Sequence, residues 1–388
     1  MTLFLATCLA TVCPNDTIGS PPSTFEQISD SSEPTDYQMM MSLSEGIETV
    51  QNSSSLRSDT NSLTGKFIDL EERRHGFVLE TKKIEIPGYP IAFNPAIIRW
   101  KNMLLMTFRV IPDRKQNFTS HIGIVQLDDH FSPIGIPQLL EMRKDSKIPC
   151  RAEDARMIVI GDSLRLVYSD NTEPKISKGG FRMYIAEVFY DGINFTLDKI
   201  ECLCRFEGES REVREKNWVP FNYEDTLLLS YSISPHVVFC PIFDKGECDT
   251  VAATNVPIQW NFGLLRGGTP AVKIGDEYLS FFHSSIRMAS LQSNGQTMLH
   301  YFMGAYTFSA SPPFGLKRIS PEPIVGRDFY NGPNPYKHYW QPGMYVFPGG
   351  ILVEDDFIWI AYGRQDHEAW VAKLDKKGLL ESLIDISP

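Results

Sequence analysis

The chain has 388 residues, of which 42% are hydrophobic and 12% aromatic, enough for one large all-β domain of about 300 residues with an appendage. Its formal charge of −11 argues against a nucleic-acid partner, because phosphate contacts need clustered Lys and Arg. No run approaches 18 apolar residues, so no membrane span is expected.

Residues 1–65 are predicted to be a disordered, low-complexity leader, and residues 66–388 one folded domain. The leader is rich in Ser, Thr, Asp and Glu without sustained periodicity. Its apolar stretch from Leu3 to Val12 is similar to the core of a signal peptide, but no Lys or Arg precedes it and no A-x-A site follows. We therefore expect a cytoplasmic protein, with export left open.

Five short apolar strands, each ending in aromatic and polar residues, recur through the domain. They begin at Met103, Leu164, Leu227, Tyr278 and Phe357, with separations of 61, 63, 51 and 79 residues. A period of about 60 residues favours radial repetition of β-sheets over a sandwich or barrel. The predicted fold is a five-bladed β-propeller.

A second alternating run follows each strand, as expected where the chain turns back outward. These runs are 121–127, 181–190, 236–243, 298–308 and 369–375. The last blade, at Phe357 to Asp375, is predicted to take a strand from Phe77 to Ile86, because ring closure removes exposed sheet edges.

A short motif precedes each of the five strands by nine to twelve residues. The motifs are Asn94-Pro95, Glu153-Asp154-Ala155-Arg156, Lys216-Asn217-Trp218, Gly267-Gly268-Thr269-Pro270 and Phe347-Pro348-Gly349-Gly350. Because the innermost strands of a propeller converge on its axis, equivalent positions in five blades would bring these motifs into one pocket.

The second motif carries the clearest candidate for chemistry. Asp154 and Arg156 are two residues apart at the start of a strand, so both side chains should share one face. Asp154 could act as a general acid if partial burial raises its pKa. The alternative is an ion pair that ties two blades together.

Other polar residues near the strand ends are candidates for binding anions or sugars. Lys216 offers a cationic donor beside Trp218, and His236, His283 and Arg266 could each hold an anion. Each histidine could equally be structural. Asp366, after the fifth strand, could accept hydrogen bonds from sugar hydroxyls or serve only in a turn.

The seven cysteines have no spacing typical of metal ligands, so we expect neither a metal nor a cofactor. Cys202 and Cys204 alternate as in a strand, which places both side chains on one face. The pattern alone assigns this pair no chemistry.

Taken together and in order, the motifs resemble glycoside hydrolase family 130, the β-mannoside phosphorylases, and the related glycosyltransferase family 108. The resemblance spans about Asn94 to Asp366. The residues that carry it are Asn94-Pro95 with Arg109, Glu153-Asp154-x-Arg156, Lys216 with Phe221, Gly267-Gly268-Thr269-Pro270 with His283, Phe347-Pro348-Gly349, and Tyr362-Gly363 with Asp366.

The resemblance implies a five-bladed propeller with an axial pocket. In this pocket a β-mannoside would react with inversion of configuration, without a metal. Asp154 would be the general acid and would reach the glycosidic oxygen through a sugar hydroxyl. The mannosyl unit would be held by Asn94, Arg109, Arg156 and Asp366. Lys216 and His283 would bind phosphate, the co-substrate, and a mannose-containing oligosaccharide would be the partner. Homo-oligomerisation is left open.

Two departures from the family pattern bear on the reaction. Ala155 replaces the usual Pro of the acid motif, and Ser234 stands before Pro235 where many members have a phosphate-binding Arg. His236, Arg214 or Arg266 could substitute for that Arg. Otherwise the alternatives are hydrolysis by water activated at Glu215, transfer from an activated sugar donor, or a propeller that only binds glycans.

Overall fold

The computed structural model describes residues 67–112, 119–143, 148–172, 176–333 and 343–386. The predicted leader, residues 1–65, lies outside this range. Nearly all the regular structure that the model describes is β. The single α-helix in these ranges is α1 (Lys376–Ser382), which Asp375 caps by accepting a hydrogen bond from the Gly378 backbone N–H.

The strands form five mainly antiparallel sheets, and four of these sheets have four strands each. The strand β1 (Val78–Ile84) comes before the first sheet in the chain and belongs to the fifth sheet. The first sheet is β2 (Phe93–Trp100), β3 (Met103–Val110), β4 (His121–Leu127) and β5 (Pro133–Leu139); the second is β6 (Glu153–Ile160), β7 (Ser163–Asn171), β8 (Phe181–Tyr190) and β9 (Phe195–Leu203); the third is β10 (Val219–Tyr223), β11 (Thr226–Ser232), β12 (His236–Ile242) and β13 (Glu247–Thr254).

The fourth sheet has seven strands, and its centre is a long hairpin of two 12-residue strands. Its members are β14 (Arg266–Gly267), β15 (Val272–Ile274), β16 (Glu277–Met288), β17 (Met298–Ser309), β18 (Leu316–Ile319), β19 (Gly343–Met344) and β23 (Ile384–Asp385). The fifth sheet is β20 (Val346–Val353), β21 (Phe357–Arg364), β22 (Glu368–Asp375) and β1.

The strand from the start of the domain completes the last sheet, as predicted. β1 pairs antiparallel with β22, with Ile84 opposite Ala369. This pairing joins the two ends of the domain and covers an edge that would otherwise expose unpaired backbone groups.

Contacts between neighbouring sheets arrange them in a propeller-like ring. Trp100 Nε1 donates to Asp162 O across the first and second sheets at 3.0 Å, and Asn222 Nδ2 donates to Val159 O across the third and second at 3.1 Å. Tyr278 Oη donates to Asn222 O across the fourth and third at 2.6 Å. The prediction of an all-β, propeller-like fold is therefore confirmed.

The fourth sheet differs from the predicted repeat because its inner strand is interrupted. Pro270 lacks an N–H, and the Phe281 N–H bonds to the Thr269 hydroxyl at 3.0 Å instead of to a backbone carbonyl. This interruption separates β14 from β15. Four of the five sheets thus repeat one four-stranded pattern, and the fourth sheet is irregular.

Apolar side chains fill the space between adjacent sheets. Between the first and second sheets, Leu105, Ile124, Met157 and Leu166 have 1% exposure or less. Such burial stabilises each side chain by roughly 1.5–3 kcal/mol, so the polar ends of the inner strands stand on a rigid support.

The inner strands of the fifth and first sheets approach so closely that glycine is required. A Cβ on Gly350 would lie 2.3 Å from Ile97 N and 2.8 Å from Ala96 Cα. Gly350→Ala should therefore lower the free energy of unfolding by about 1–3 kcal/mol, because backbone atoms must shift. Urea unfolding measures this. Gly315→Ala, which meets nothing within 4 Å, is the matched control. Equal stability of the two variants would contradict the close approach.

Candidate active site

The predicted motifs lie at β-bulges in three of the inner strands. Pairing shifts register between Phe93 and Ala96 in β2, and between Glu153 and Arg156 in β6. A third shift falls between Pro348 and Gly350 in β20. Bulges redirect side chains and often occur beside active sites. Here the bulges shift the motif residues out of the ordinary alternation of side chains between the two faces of a sheet.

Asn94 and Asp154 occupy equivalent bulge positions and both adopt left-handed backbone, with φ of 47° and 53°. Asn and Asp tolerate this conformation better than other side chains with a Cβ. The result is direct contact between the two sheets, because Asn94 Nδ2 donates to Asp154 Oδ1 at 2.9 Å. Arg109 Nη1 lies 3.5 Å from the same oxygen.

The Asn94 side chain lies over Gly363, where a Cβ would come within 1.9 Å of Asn94 Oδ1. That oxygen is buried and has no hydrogen-bond partner among the described residues. The absence of a side chain at Gly363 therefore makes room for the Asn94 amide.

Glu153 links the first sheet to the segment before the third. Its carboxylate accepts from Arg109 Nη2 at 2.8 Å and from Lys216 Nζ at 2.5 Å. Burial acts to raise the pKa of Glu153, but Arg109 and then Lys216 outweigh it and lower this pKa to about 2. Glu153 is thus ionised at neutral pH and bonds to two cations, of which Arg109 also lies beside Asp154.

Further cations surround the ring of Phe181. Lys216 Nζ lies 4.1 Å from the ring centroid, and the guanidinium carbons of Arg151 and Arg214 lie at 5.1 Å and 5.5 Å. Burial lowers the pKa of Arg151, and the positive charges of Arg214 and Arg109 lower it further. Such crowding of like charges is expected where an anion binds.

Arg151 was missed by the motif analysis. It stands two residues before Glu153, so the same strand alternation that paired Asp154 with Arg156 would have placed it beside Glu153.

Arg156 is 1% exposed, and its guanidinium bonds to atoms of the second and fourth sheets and of the segment before the third. It donates to the carbonyl oxygens of Gly268 at 2.5 Å, Gly267 at 3.1 Å and Asp154 at 3.0 Å, and to Asn217 Oδ1 at 3.3 Å. Burial lowers its pKa to about 10, which leaves it charged at neutral pH. This placement matches the structural alternative considered for Arg156, a tie between blades, although its partners are mainly backbone carbonyls.

His283 is buried beside Phe347 and Tyr301, with ring centroids 4.8 Å and 5.5 Å away. Burial, then the charges of Arg266 and Arg156, hold the pKa of His283 well below its usual range. The imidazole is therefore neutral, and its Nδ1 has no partner among the described residues. Arg266 lies opposite His283 in the β14–β16 pair.

His236 is a correction to the predicted phosphate ligands. It is 1% exposed, and its Nδ1 and Nε2 lie 2.8 Å from Phe314 O and 3.0 Å from Ser230 Oγ. Burial lowers its pKa to about 4, so the ring is neutral at pH 7. Both nitrogens serve the interior of the protein, and the structural alternative is the correct one.

Asp366 lies in the turn between β21 and β22, half-buried and with φ of 47°. Burial and the nearby Asp366 carboxylate raise the pKa of Tyr345, which packs edge-on against Tyr301 at 5.1 Å. The rings of Tyr345 and Tyr301 thus connect Asp366 with His283, which stacks on Tyr301.

Ser234 and Glu215, on which the predicted alternatives to phosphorolysis rest, differ in burial. Ser234 is exposed in the connection between β11 and β12. Glu215 is 4% exposed and accepts a hydrogen bond from Trp218 Nε1 at 3.2 Å. Its carboxylate is therefore hydrogen-bonded to the Trp218 indole.

Taken together, the site is a cluster of two carboxylates, Glu153 and Asp154, with the Asn94 amide and several cations. No group of three or more His, Cys, Asp and Glu in the described ranges is arranged to hold a metal ion. None of the helices in these ranges is long and apolar enough to cross a membrane.

Solved structures with this fold include carbohydrate-active proteins. A glycosyl hydrolase from Bacteroides ovatus matches with a TM-score of 0.53 and 14% identity, over 80% of this chain and 94% of its own. A member of the GH130 family of mannoside phosphorylases, which contains hydrolases that target beta-1,2 mannosidic linkages in Candida mannan, matches with 0.53 and 14% over 77% and 87%. MPT-4, a mannose phosphorylase from Leishmania mexicana solved with phosphate, matches with 0.50 and 13% over 79% and 92%.

These likenesses support the all-β, propeller-like arrangement that the motif resemblance implied. No family model matches the sequence, and no curated protein does.

The buried guanidinium of Arg156 should contribute strongly to stability. Arg156→Lys keeps the charge but cannot reach four acceptors, so we expect the free energy of unfolding to fall by about 2–4 kcal/mol. Denaturant unfolding of the full chain measures it. Arg99→Lys, at an arginine with 51% side-chain exposure, is the control and should change stability little. Similar losses of stability in both variants would argue against a role of Arg156 in holding the sheets together.

The depressed pKa of Glu153 predicts a pH-dependent contribution to stability. A carboxyl whose pKa falls from 4.5 unfolded to about 2 folded stabilises the protein fully above pH 4.5, and this stabilisation is lost as the pH falls through about 2. Compared with Glu153→Gln, the wild type should be more stable by about 3 kcal/mol at pH 7. The difference should narrow below pH 4.5. A difference that stays constant from pH 7 to pH 3 would contradict this.

Proposed function

We propose that this protein is an inverting β-mannoside phosphorylase-like enzyme that transfers a mannosyl unit between an oligosaccharide end and inorganic phosphate. We further propose that the irregular fourth sheet counts as a fifth blade, so that the cluster around Asp154 lines an axial pocket. The single observation that carries the proposal is the position of the Asp154 carboxylate, 3.5 Å from Arg109, next to the cations that contact Glu153 and Phe181.

The chemistry follows from the charges. Phosphate is already an anionic nucleophile and needs a cationic seat, whereas an inverting hydrolase needs a second carboxylate to activate water. Asp154 would donate its proton to the departing sugar oxygen while a phosphate oxygen attacks C1 from the opposite face. The C1–O bond to the sugar breaks, and the new C1–O bond to phosphate has inverted configuration.

The cations around Glu153 and Phe181 would form the phosphate seat. Lys216 and Arg109 are aligned by Glu153, and Arg151 and Arg214 lie at the same aromatic ring. Two guanidinium groups there would compensate for Ser234, which stands where family members have Arg. His283 and Arg266 would extend this seat on the side of the fourth sheet.

The mannosyl unit would be held next to Asp154. The unpartnered Asn94 Oδ1 would accept from a sugar hydroxyl, and Asp366 would accept from another. Arg109 would contact both the sugar and the phosphate. Arg156 would act as a positioning residue, because its donors are already occupied by protein atoms.

Hydrolysis and transfer from an activated donor are the alternatives within enzymes. The carboxylate named for water activation, Glu215, bonds to the Trp218 indole, and Glu153 is ion-paired to two cations. This disposition favours phosphorolysis over hydrolysis. A pure glycan-binding role would leave the Asp154 and cation cluster without a purpose.

The direct test is phosphate release from α-mannose 1-phosphate with mannose, glucose, N-acetylglucosamine and short mannosides as acceptors. We expect release that requires an acceptor and falls by at least about a hundredfold in Asp154→Asn, because the amide cannot exchange the proton. Asp162→Asn, the same change at an exposed turn residue, should retain full activity. Absence of release with every acceptor from folded wild-type protein would overturn the phosphorylase proposal and direct attention to sugar-nucleotide donors.

The phosphate seat predicts a separable effect at Lys216. Lys216→Met should raise the KM for phosphate in the phosphorolytic direction by about tenfold to a hundredfold, since a charged hydrogen bond is lost. Lys216→Arg should recover part of that loss. A KM for phosphate that is unchanged in Lys216→Met would exclude Lys216 from the seat.

A further inference from the structure

Arg182 is a buried arginine beside the cations of the proposed phosphate seat. It is the second residue of β8 and directly follows Phe181, whose ring these cations surround. Its exposure is 0%. A buried guanidinium is tolerated only where acceptors satisfy its donors, so the partners of Arg182 show which part of the chain it holds in place.

The acceptors of Arg182 lie mainly in the connection between β9 and β10. Arg182 Nη1 donates to Val213 O at 2.8 Å, and Nη2 donates to Ser210 O at 3.0 Å and to the Glu209 carboxylate. Nη1 also donates to Phe181 O at 3.1 Å. The guanidinium therefore fastens a stretch that belongs to no helix or strand to the end of β8.

The β9–β10 connection also packs tightly against Gly179. The Gly179 N–H donates to Arg211 O at 3.0 Å, and a Cβ on Gly179 would lie 2.6 Å from Val213 O. Arg214 Nε in turn donates to Gly179 O at 3.0 Å. The position of Arg214 thus depends on a pair of loops that Arg182 anchors at Val213.

Lys216 is carried by the same connection. The Glu215 N–H donates to Phe181 O at 3.3 Å, and this carbonyl also accepts from Arg182. Lys216 follows directly, with its Nζ 4.1 Å from the centroid of the Phe181 ring. Arg214 and Lys216 are therefore both next to backbone that bonds to Arg182 or shares its acceptor.

Arg151, the third cation at the Phe181 ring, is held from another side. Asp170 lies opposite Arg182 in the β7–β8 pair and is 1% exposed. Its carboxylate accepts from the Arg151 N–H at 2.8 Å and from Arg143 Nε at 2.7 Å. A change at Arg182 should therefore loosen the β9–β10 connection and leave Arg151 in place.

We propose that Arg182 is a positioning residue for the phosphate seat, a role that rests on the function proposed above. Arg182 is buried and would touch neither phosphate nor sugar. By holding the β9–β10 connection, it sets where Arg214 and Lys216 stand relative to Arg151. Cations that are ordered before an anion binds lose less conformational entropy on binding, so a loosened connection should weaken the seat although its cations remain.

The first experiment measures phosphate affinity and kinetics in Arg182→Lys, which keeps the charge but replaces the forked donors with one ammonium. The Kd for inorganic phosphate, from isothermal titration calorimetry of the full chain, should rise by about fivefold to fiftyfold. The KM for α-mannose 1-phosphate should rise similarly, and the KM for the acceptor sugar should change by less than about twofold. Arg205→Lys, with 61% side-chain exposure in the same connection, is the control and should leave these constants unchanged.

The second experiment follows the connection itself by hydrogen–deuterium exchange and mass spectrometry. The N–H groups of Glu209, Val213 and Glu215 are hydrogen-bonded in the wild type. Peptides that contain them should exchange faster in Arg182→Lys, because local opening becomes easier. Exchange at Arg151, whose N–H bonds to a different side chain, should stay at the wild-type rate.

A second variant disturbs the connection without changing any charge or Arg182 itself. Gly179→Ala should push the Val213 carbonyl away and raise the phosphate Kd by about threefold or more. Gly315→Ala, which meets nothing within 4 Å, is the matched control and should bind phosphate as the wild type does. Gly179→Ala decides the question if Arg182→Lys fails to fold.

A wild-type phosphate Kd in both Arg182→Lys and Gly179→Ala would overturn the proposal. An equal rise in the KM of both substrates, or a fall in kcat alone, would also overturn it, because either result indicates a general structural role. Failure of the phosphorylase function looks different: the wild type would bind phosphate but release none from α-mannose 1-phosphate. The phosphate Kd of Arg182→Lys would then decide the role of Arg182.

Discussion

Burial of the Arg156 guanidinium is the constraint on which the candidate site depends. A buried charge is tolerated only when its donors are satisfied, and here carbonyl oxygens from the second and fourth sheets and Asn217 before the third satisfy them. Because another acceptor is the carbonyl of Asp154, the guanidinium that ties the sheets also holds the backbone of Asp154. Stability and positioning therefore come from one side chain.

The candidate site also contains more positively charged than negatively charged side chains. Glu153 neutralises part of the positive charge of Arg109 and Lys216, and Arg151 and Arg214 add more around the Phe181 ring. An excess of cations produces a positive potential, which favours an anion. A neutral His283 fits the same arrangement, because a further positive charge there would cost free energy beside Arg156 and Arg266.

Most of the strand pattern could be predicted because alternation of apolar residues is a local property of the chain. The pairs β3–β4, β7–β8 and β21–β22 fall where the runs placed them, and β1 closes the last sheet as expected. The interruption at Thr269 could not be predicted, because a hydroxyl replaces a backbone acceptor only when β16 lies beside it. His236 was misjudged for the same reason: its two partners, Ser230 and Phe314, are known only once distant segments are packed.

The sequence by itself determined that the chain is a repeated β fold and which motifs stand at equivalent places in the repeats. Period-two alternation and the spacing of about 60 residues carry that information, because both depend only on neighbours along the chain. Tertiary packing, in contrast, sets which polar side chains remain together at the candidate site and which are bonded inside the protein. It left Asp154 and the Asn94 amide together, buried Arg156 among carbonyls, and committed Glu215 to Trp218. The physical reason is that hydrogen-bond partners and burial are set by residues far apart in sequence.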